Sequence, residues 1–293
     1  MSCYWFPTRL KHPDLEGYKD YACSDKACQF KFSVLTDSIF SGSKISLQVW
    51  FAAMYIISAH KKGISSHQLA KDCGCTQKTA WFILHRVRAA FSPEQIGTRK
   101  LGLFACDESF LGGKNKNRHA DKKIEGSQGR SVKDKTPVMG IMQTGGLIRT
   151  RVIPNTKAEI LKPIIKELIK EGSIIVTDEW DGYNGLSGDY AHIVVKHKEG
   201  QYASGAFSPN NVENFWSLLK RGIYGIYHQV SPEHLHRYCY EFEYRFNLRK
   251  MNDPAKFIQT MKQASGKRLT YKALIAKHNV TVTTIDADGV VMK

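Results

Sequence analysis

The sequence predicts an α/β protein in which a helical region is followed by a mixed β-sheet with flanking helices. From about residue 45 to 91 the apolar residues recur at helical spacing, and beyond residue 100 short apolar runs alternate with amphipathic segments. A polar connection at 92–100 separates the two patterns and predicts a domain boundary. At 293 residues, the chain is long enough for two or three domains, one of them with a sizeable core.

The charge balance indicates a polyanionic partner. The chain has 43 Lys and Arg residues against 27 Asp and Glu, a formal net charge of +16, and its pI is near 9.5. Such an excess favours nucleic acid over a membrane surface, since no long apolar span, basic amphipathic helix or signal peptide stands out. Seven cysteines, an odd number, do not suggest a disulfide scaffold. We therefore expect a cytoplasmic protein with reduced thiols.

The first forty residues are rich in cysteine and aromatic residues. Cys23 and Cys28, in YACSDKACQFKF, have the look of one knuckle of a zinc ribbon, with two thiolates on a tight turn before a strand. Cys3 and His12 are the candidates for a third and a fourth ligand. The Cys-x4-Cys spacing is loose and a second Cys-x-x-Cys is absent. The alternatives are a Zn²⁺ site and a degenerate ribbon that folds without metal.

The segment from Ile45 to Phe91 is predicted to be helical. ISLQVWFAAMYIISAHKKG is apolar nearly all round, which predicts a buried helix that ends at Gly63. The next segment predicts a short helix, a turn and a second helix, each helix beginning at a hydroxyl cap. The cap and turn residues are Ser65 or Ser66, Cys73-Gly74-Cys75, and Thr76.

Two short helices about a glycine turn resemble a DNA-binding helix-turn-helix, whose second helix enters the major groove. Gln77, Lys78 and Thr79 would face the groove, with Arg86 and Arg88 further along the same helix. The alternative is a plain helical hairpin. The basic charge of the chain favours DNA.

Beyond residue 100 the predicted order is strand, strand, strand, helix, strand, strand, helix, which is the order of a ribonuclease-H-like fold. A long basic loop, GGKNKNRHADKKIEGSQGRSVKDK, joins the first two strands, and we expect it to contact phosphate. The predicted elements are a strand in KLGLFACDESFLGG, two strands joined at Gly145-Gly146, an amphipathic helix in KAEILKPIIKELIKEG, strands in SIIVTDEWDGY and AHIVVKH, and helices at 210–226 and 232–249.

Three acids occupy significant places in this order. Asp107 is predicted to end the first strand, Asp178 to end the strand after the amphipathic helix, and Glu213 to open the next helix. Carboxylates in these places can converge at one edge of the sheet, where hard oxygen ligands suit Mg²⁺ or Mn²⁺. Two such ions, about 3.5–4 Å apart, can activate an attacking hydroxyl and stabilise a leaving oxygen at one phosphorus.

Glu213 and Lys220 are seven residues apart in SPNNVENFWSLLKRG, so they share one face of the predicted helix. They are either a solvated surface pair or one wall of a site that handles phosphates. Trp216 and Trp180 have two alternatives as well, stacking on a flipped base or packing in the core. Glu108, Glu179 and Asp181 lie beside the three acids and are expected to adjust the local field or face solvent.

The chain resembles the DDE-type transposases of bacterial insertion sequences, specifically insertion-sequence family fifteen-ninety-five. The resemblance covers about residues 23 to 250, and the last of the matching stretches is the most distinctive. These stretches are QFKFSVLTDSIF, ISSHQLAKDCGCTQKTAWFILHRVR, DESFLGGKNKN, VTDEWDGY and NNVENFWSLLKRGIYGIYHQVSPEHLHRYCYEFEYRFNLR.

The resemblance implies three parts, a zinc-ribbon-like N-terminus, a helix-turn-helix region and a ribonuclease-H-like catalytic domain. It places the catalytic acids at Asp107, Asp178 and Glu213 and the basic residue that follows the third acid at Lys220, while Arg221 would add a backbone contact. We accordingly divide the chain into 1–40 (incomplete zinc ribbon), 41–92 (helix-turn-helix), 98–250 (catalytic domain) and 251–293 (C-terminal extension).

The sequence departs from the family pattern in two places. The first of the family's two N-terminal cysteine pairs is reduced to Cys3, and Ser208-Pro209-Asn210 stands where the family has His-Thr-Asn. Asn210 is therefore the alternative to Glu213 as the third catalytic residue. We favour Glu213, because a carboxylate binds Mg²⁺ better than an amide does.

The resemblance implies a transposase that binds the terminal inverted repeats of its element, cleaves the ends and joins the 3′-hydroxyls to target DNA. The expected partner is double-stranded DNA, bound by a homodimer or higher oligomer at the bacterial nucleoid. Two alternatives are a transposase-derived DNA-binding protein without catalytic activity and a ribonuclease-H-like nuclease. The intact acids argue against the first alternative and the helix-turn-helix against the second.

Overall fold

The computed structural model describes residues 21–23, 28, 30–33, 35–93, 100–113, 118–127, 131–195 and 210–276. The helices are α1 (Leu47–Ala59), α2 (Ser66–Asp72), α3 (Gln77–Ala90), α4 (Ala158–Leu168), α5 (Asn210–Gly222), α6 (Pro232–Asn247), α7 (Asp253–Lys262) and α8 (Tyr271–Ile275). The strands are β1 (Tyr21–Ala22), β2 (Lys31–Phe32), β3 (Leu103–Leu111), β4 (Thr136–Gln143), β5 (Ile148–Val152), β6 (Ile174–Thr177) and β7 (Ala191–Val194).

A five-stranded mixed sheet has the order β5-β4-β3-β6-β7. β4 pairs antiparallel with β3 and β5, and β6 pairs parallel with β3 and β7. β4 is buried along most of its length because it has a neighbour on each side and helices over both faces. The mixed sheet with flanking helices is therefore confirmed, and its elements follow the predicted order along the chain.

The two faces of the sheet have separate apolar cores. On one face α4 packs against the sheet, and its single proline, Pro163, lies inside the helix. On the other face α5 and α6 pack against the sheet through residues such as Phe215, Leu219 and Phe242. The face on which a side chain of β3 lies therefore decides which helix it meets.

A third apolar core holds the helical region together. It joins α1, α2 and α3, and it also takes in Tyr244 of α6 and Phe257 of α7. Two caps form as predicted, since Ser65 accepts a hydrogen bond from the N–H of Gln68 and Thr76 accepts one from the N–H of Thr79. The helical region thus packs directly on helices that follow the sheet in the sequence.

The described part of the N-terminal segment is a small antiparallel pairing of β1 with β2. Cys23 directly follows β1 and Cys28 precedes β2, as the predicted knuckle requires. Cys3 and His12 lie outside the described residues, so zinc binding stays a prediction. Within the described residues no helix is both long enough and apolar enough to span a membrane.

Candidate active site

Asp107 lies at the centre of β3 rather than at its end, which corrects the sequence prediction. The strand continues to Leu111 because the antiparallel pairing with β4 runs on to Leu111↔Thr136. The parallel pairing with β6 stops earlier, at Ala105↔Val176. Asp107 is therefore two residues beyond the last parallel pair, at the point where β3 loses one neighbour.

Asp178 directly follows β6, as predicted. Continuing the register Ala105↔Val176 by two residues would bring Asp107 opposite Asp178. Residues paired across a parallel ladder point to the same face of the sheet, so in this register the two acids would share a face. Ala105 packs in the core beneath α5 and α6, which identifies that face.

Glu108 lies on the opposite face, because successive side chains of a strand alternate. Its carboxylate accepts a short hydrogen bond from the hydroxyl of Tyr183, a buried residue of the α4 core. Burial, with the nearby carboxylates, raises the pKa of Tyr183 well above its usual value. Glu108 is therefore separated from Asp107 by the sheet itself, although the two are adjacent in sequence.

The carboxylate of Asp107 has a different donor on each oxygen. Oδ1 accepts the backbone N–H of Glu108 at 2.8 Å, and Oδ2 accepts the indole N–H of Trp216 at 3.0 Å. Trp216 lies on α5 and is 4% exposed, so the packing alternative for this residue is the one observed. Helix α5 thus reaches down to the sheet at Asp107.

Asp178 begins a local turn. Its Oδ1 accepts the backbone N–H of Trp180 at 3.1 Å, the hydrogen bond that an aspartate commonly makes two residues on. Trp180 is 38% exposed and its indole N–H donates to the carbonyl of Thr156 at 2.8 Å. Glu179 and Asp181 beside it are exposed, so their predicted solvent-facing position is observed.

Helix α5 divides into an apolar side and a polar side. Glu213 is in the first turn and exposed, and Lys220 is half-buried in the last turn. Trp216 lies three residues after Glu213 and four before Lys220, so all three occupy one face of the helix. Arg221 is exposed, and its Nε donates to the carbonyl of Ser217 at 3.2 Å. Asn210 is the first residue of α5.

Among the described residues, no group of three or more His, Cys, Asp or Glu side chains is placed to hold a metal ion. Asp107 lies in β3 and Asp178 directly follows the neighbouring β6, whereas Glu213 does not join them in a three-ligand cluster of described residues. The two aspartates nevertheless suit Mg²⁺, which proteins often bind through one or two carboxylates together with substrate phosphates.

The predicted helix-turn-helix has exposed residues at the start of its second helix. Gln77 and Lys78 are exposed and Thr79 is half-buried. The turn between the helices uses Gly74 in the left-handed region, with φ of 61°. The side-chain amide of Gln77 donates to Ser66 Oγ at 2.8 Å and ties the two helices together.

The prediction that Arg86 and Arg88 contact DNA is contradicted, because both are buried, with exposures of 4% and 1%. The guanidinium of Arg86 donates to three backbone carbonyls, those of Ile39, Ser41 and Leu269, at 2.6 to 2.9 Å. Ile39 and Ser41 belong to one segment and Leu269 to another that is far away in the chain. Arg86 therefore holds the helical core together.

Arg88 belongs to a buried ion network between α3 and α6. Its Nε donates to Glu241 Oε2 at 2.7 Å, and the other oxygen, Oε1, accepts from Arg245 at 2.6 Å and from the Tyr227 hydroxyl at 2.7 Å. The guanidinium of Arg88 also stacks 4.0 Å above the ring of Tyr238. Sequence reasoning missed this network because its members are distant in the chain.

The chain is similar to proteins of mobile elements. The ISXO2-like transposase domain matches residues 101–247, about half of the chain. An uncharacterised transposase-like protein of Haemophilus influenzae is 29% identical over 119 residues, which cover 40% of this chain and 95% of that protein. An uncharacterised protein in the transposable element ISH50 of Halobacterium salinarum is 26% identical over 247 residues, 80% of this chain and 81% of its own.

Among solved structures, a pre-cleavage Mos1 transpososome is similar over 73% of this chain and 79% of its own, with 9% identity and a TM-score of 0.18. A TM-score this low does not establish a shared fold. The family match spans the sheet from β3 onward together with α4, α5 and α6, and so includes every predicted catalytic residue. The chain therefore belongs to the ISXO2-like transposase domain family.

Proposed function

We propose that this transposase binds the terminal inverted repeats of its element, cleaves the ends by metal-dependent hydrolysis and joins the 3′-hydroxyls to target DNA by transesterification. The observation that supports this most is the register of β3 with β6, which, continued by two residues, would bring Asp107 opposite Asp178 on the face covered by α5. The strand order β5-β4-β3-β6-β7 supports a ribonuclease-H-like catalytic domain.

Asp107 and Asp178 would hold two Mg²⁺ or Mn²⁺ ions, with Glu213 or Asn210 as the third ligand. The bound metal supplies Lewis acidity at the phosphorus. The protein residues orient the reacting groups, since phosphoryl transfer depends mainly on positioning and charge stabilisation. Lys220, on the same face of α5 as Glu213, places a point charge on DNA phosphate. We therefore propose that Glu213 and Lys220 form one wall of the site rather than a solvated surface pair.

DNA recognition is assigned to the start of α3. Gln77 and Lys78 are exposed there, at the end of the helix that meets base edges when a helix-turn-helix docks in a major groove. Thr79 is half-buried, and its hydroxyl lies at the same end of the helix as Gln77 and Lys78. Exposed Arg221 of α5 adds a contact to the DNA backbone. The buried Arg86 and Arg88 are not part of this proposal.

Replacing Gln77 and Lys78 together by Ala should weaken binding to terminal-repeat DNA by about tenfold or more, since one good base contact contributes ~1–3 kcal/mol. Binding to random DNA should fall much less, because only one phosphate-attracting charge is lost. The matched control is Lys62→Ala, which removes one exposed charge outside α3. An equal loss on both DNAs would reduce the proposed recognition helix to a basic patch.

A joining assay tests the proposed function as a whole. The full-length chain is mixed with linear DNA that carries the element's ends and with a supercoiled target, in Mg²⁺ and then with the metal chelated. We expect 3′-end cleavage and strand transfer only with metal. DNA binding without cleavage would favour the non-catalytic derivative, and cleavage confined to an RNA–DNA hybrid would favour the nuclease.

A further inference from the structure

Trp216 contacts the predicted metal ligand by a directional bond. The indole Nε1–H donates to Asp107 Oδ2 at 3.0 Å, and an indole nitrogen can only donate. The other oxygen of Asp107 accepts the N–H of Glu108 at 2.8 Å. Two donors on different oxygens fix the plane of the carboxylate. Each oxygen can accept further bonds, so these contacts are compatible with metal coordination.

The sheet leaves space for this indole at one position. Gly140 of β4 is the cross-strand partner of Asp107. A Cβ built at Gly140 would lie 2.6 Å from Cζ2 of Trp216, a distance that real Cβ atoms essentially never show. Glycine weakens the interior of a strand, and it commonly marks a close approach of another group. Here the group that approaches is the ring that reaches Asp107.

Packing alone does not account for this arrangement. A buried indole needs a hydrogen-bond partner, and for Trp50 in the helical core the Ser43 hydroxyl supplies it. For Trp216 the partner is instead the carboxylate of Asp107, a proposed metal ligand. Glu213 and Lys220 flank Trp216 by about one turn on either side, on the same face of α5.

We propose that Trp216 is a positioning residue for Asp107, with Gly140 providing the space that its ring needs. This inference rests on the proposed function, in which Asp107 binds metal. Residues that hydrogen-bond to a metal ligand fix its orientation, and their loss typically weakens metal affinity by about 10–100-fold. Trp216 would act in this way on Asp107.

The test measures Mn²⁺ binding to the full-length protein by the loss of the free-ion EPR signal, with strand transfer as a second readout. Trp216→Phe keeps an aromatic ring and removes the N–H, and it should raise the Mn²⁺ dissociation constant by roughly 10–100-fold. The control is Trp50→Phe, which removes a buried indole N–H bonded to Ser43 in the helical core and should leave Mn²⁺ binding unchanged.

Two further variants separate positioning from folding. Replacement of Trp216 by benzothienylalanine keeps the shape and removes only the N–H, and it should reproduce the Phe result. Gly140→Ala should displace the ring, lower Mn²⁺ affinity in the Trp216 protein, and have a smaller effect in Trp216→Phe. Unchanged Mn²⁺ affinity in the benzothienylalanine protein would overturn the inference. Unchanged affinity in Asp107→Asn would instead overturn the proposed metal site.

Discussion

Asp107→Asn and Asp178→Asn are each expected to abolish cleavage and joining while terminal-repeat binding stays nearly intact. Asp107 contacts α5 through Trp216 and Asp178 directly follows β6, whereas the proposed base contacts lie on α3. Losing a metal Lewis acid removes several kcal/mol of transition-state stabilisation. At about 1.4 kcal/mol per factor of ten, the rate of end cleavage should fall by at least ~10²-fold. Gel-shift and strand-transfer assays on the same preparations measure both properties.

The matched control is Glu108→Gln, which removes one carboxylate charge next to Asp107 in sequence but on the opposite face of β3. We expect it to keep cleavage within a few-fold of wild type. Joining by either aspartate variant in Mg²⁺ would show that the site is wrongly assigned. The same assay decides the third position, because full activity in Glu213→Gln with loss in Asn210→Ala would assign it to Asn210.

Much of the fold follows from local signals in the sequence. The caps at Ser65 and Thr76 and the glycine turn between α2 and α3 depend on residues within four positions of one another, which a single sequence displays. The sheet elements follow in the same way from apolar runs and from the Gly145-Gly146 turn. The order of the elements also predicted that three acids converge at one edge of the sheet, but the described residues hold no such group of three.

What the sequence could not display is which elements meet. Asp107 was expected at a strand end because acids follow the apolar run, but pairing with β4 extends the strand past it. Arg86 and Arg88 were expected on DNA because they lie further along the predicted recognition helix. Their partners are 45 to 183 residues away. Gly140, alone inside an apolar strand, was the one available sign of the contact with Trp216.

The strongest effect on stability is expected from Glu241→Gln. Glu241 is fully buried and pairs with Arg88 of α3 and with Arg245 of its own helix, so it joins the helical region to the helices on the sheet. Burial opposes its charge, but the two arginines outweigh burial and lower the pKa of Glu241 from 4.5 to about 2. Removing one partner of such a network leaves buried charge uncompensated, which typically costs about 3–5 kcal/mol.

Urea unfolding should therefore give a free energy of unfolding lower by about 3–5 kcal/mol in Glu241→Gln. The control is Glu167→Gln, which breaks a two-point pair with Arg151 at 2.6 and 2.7 Å where both side chains are about one-third exposed. Such a pair contributes only about 0–1 kcal/mol. If both variants lower the free energy of unfolding by the same amount, the buried network does not join the helical region to the helices on the sheet.

Acid should reproduce the substitution in the wild type. Because the folded-state pKa of Glu241 is depressed, its contribution is fully present above pH 4.5 and is lost as the pH falls towards 2. The stability of wild type should approach that of Glu241→Gln over this window. Replacing Arg88, Glu241 and Arg245 together by Met removes all three charges at once, so it should cost less than Glu241→Gln alone. A larger cost in the triple variant would assign the stabilisation to the arginines' contacts with Tyr238 and His60 instead.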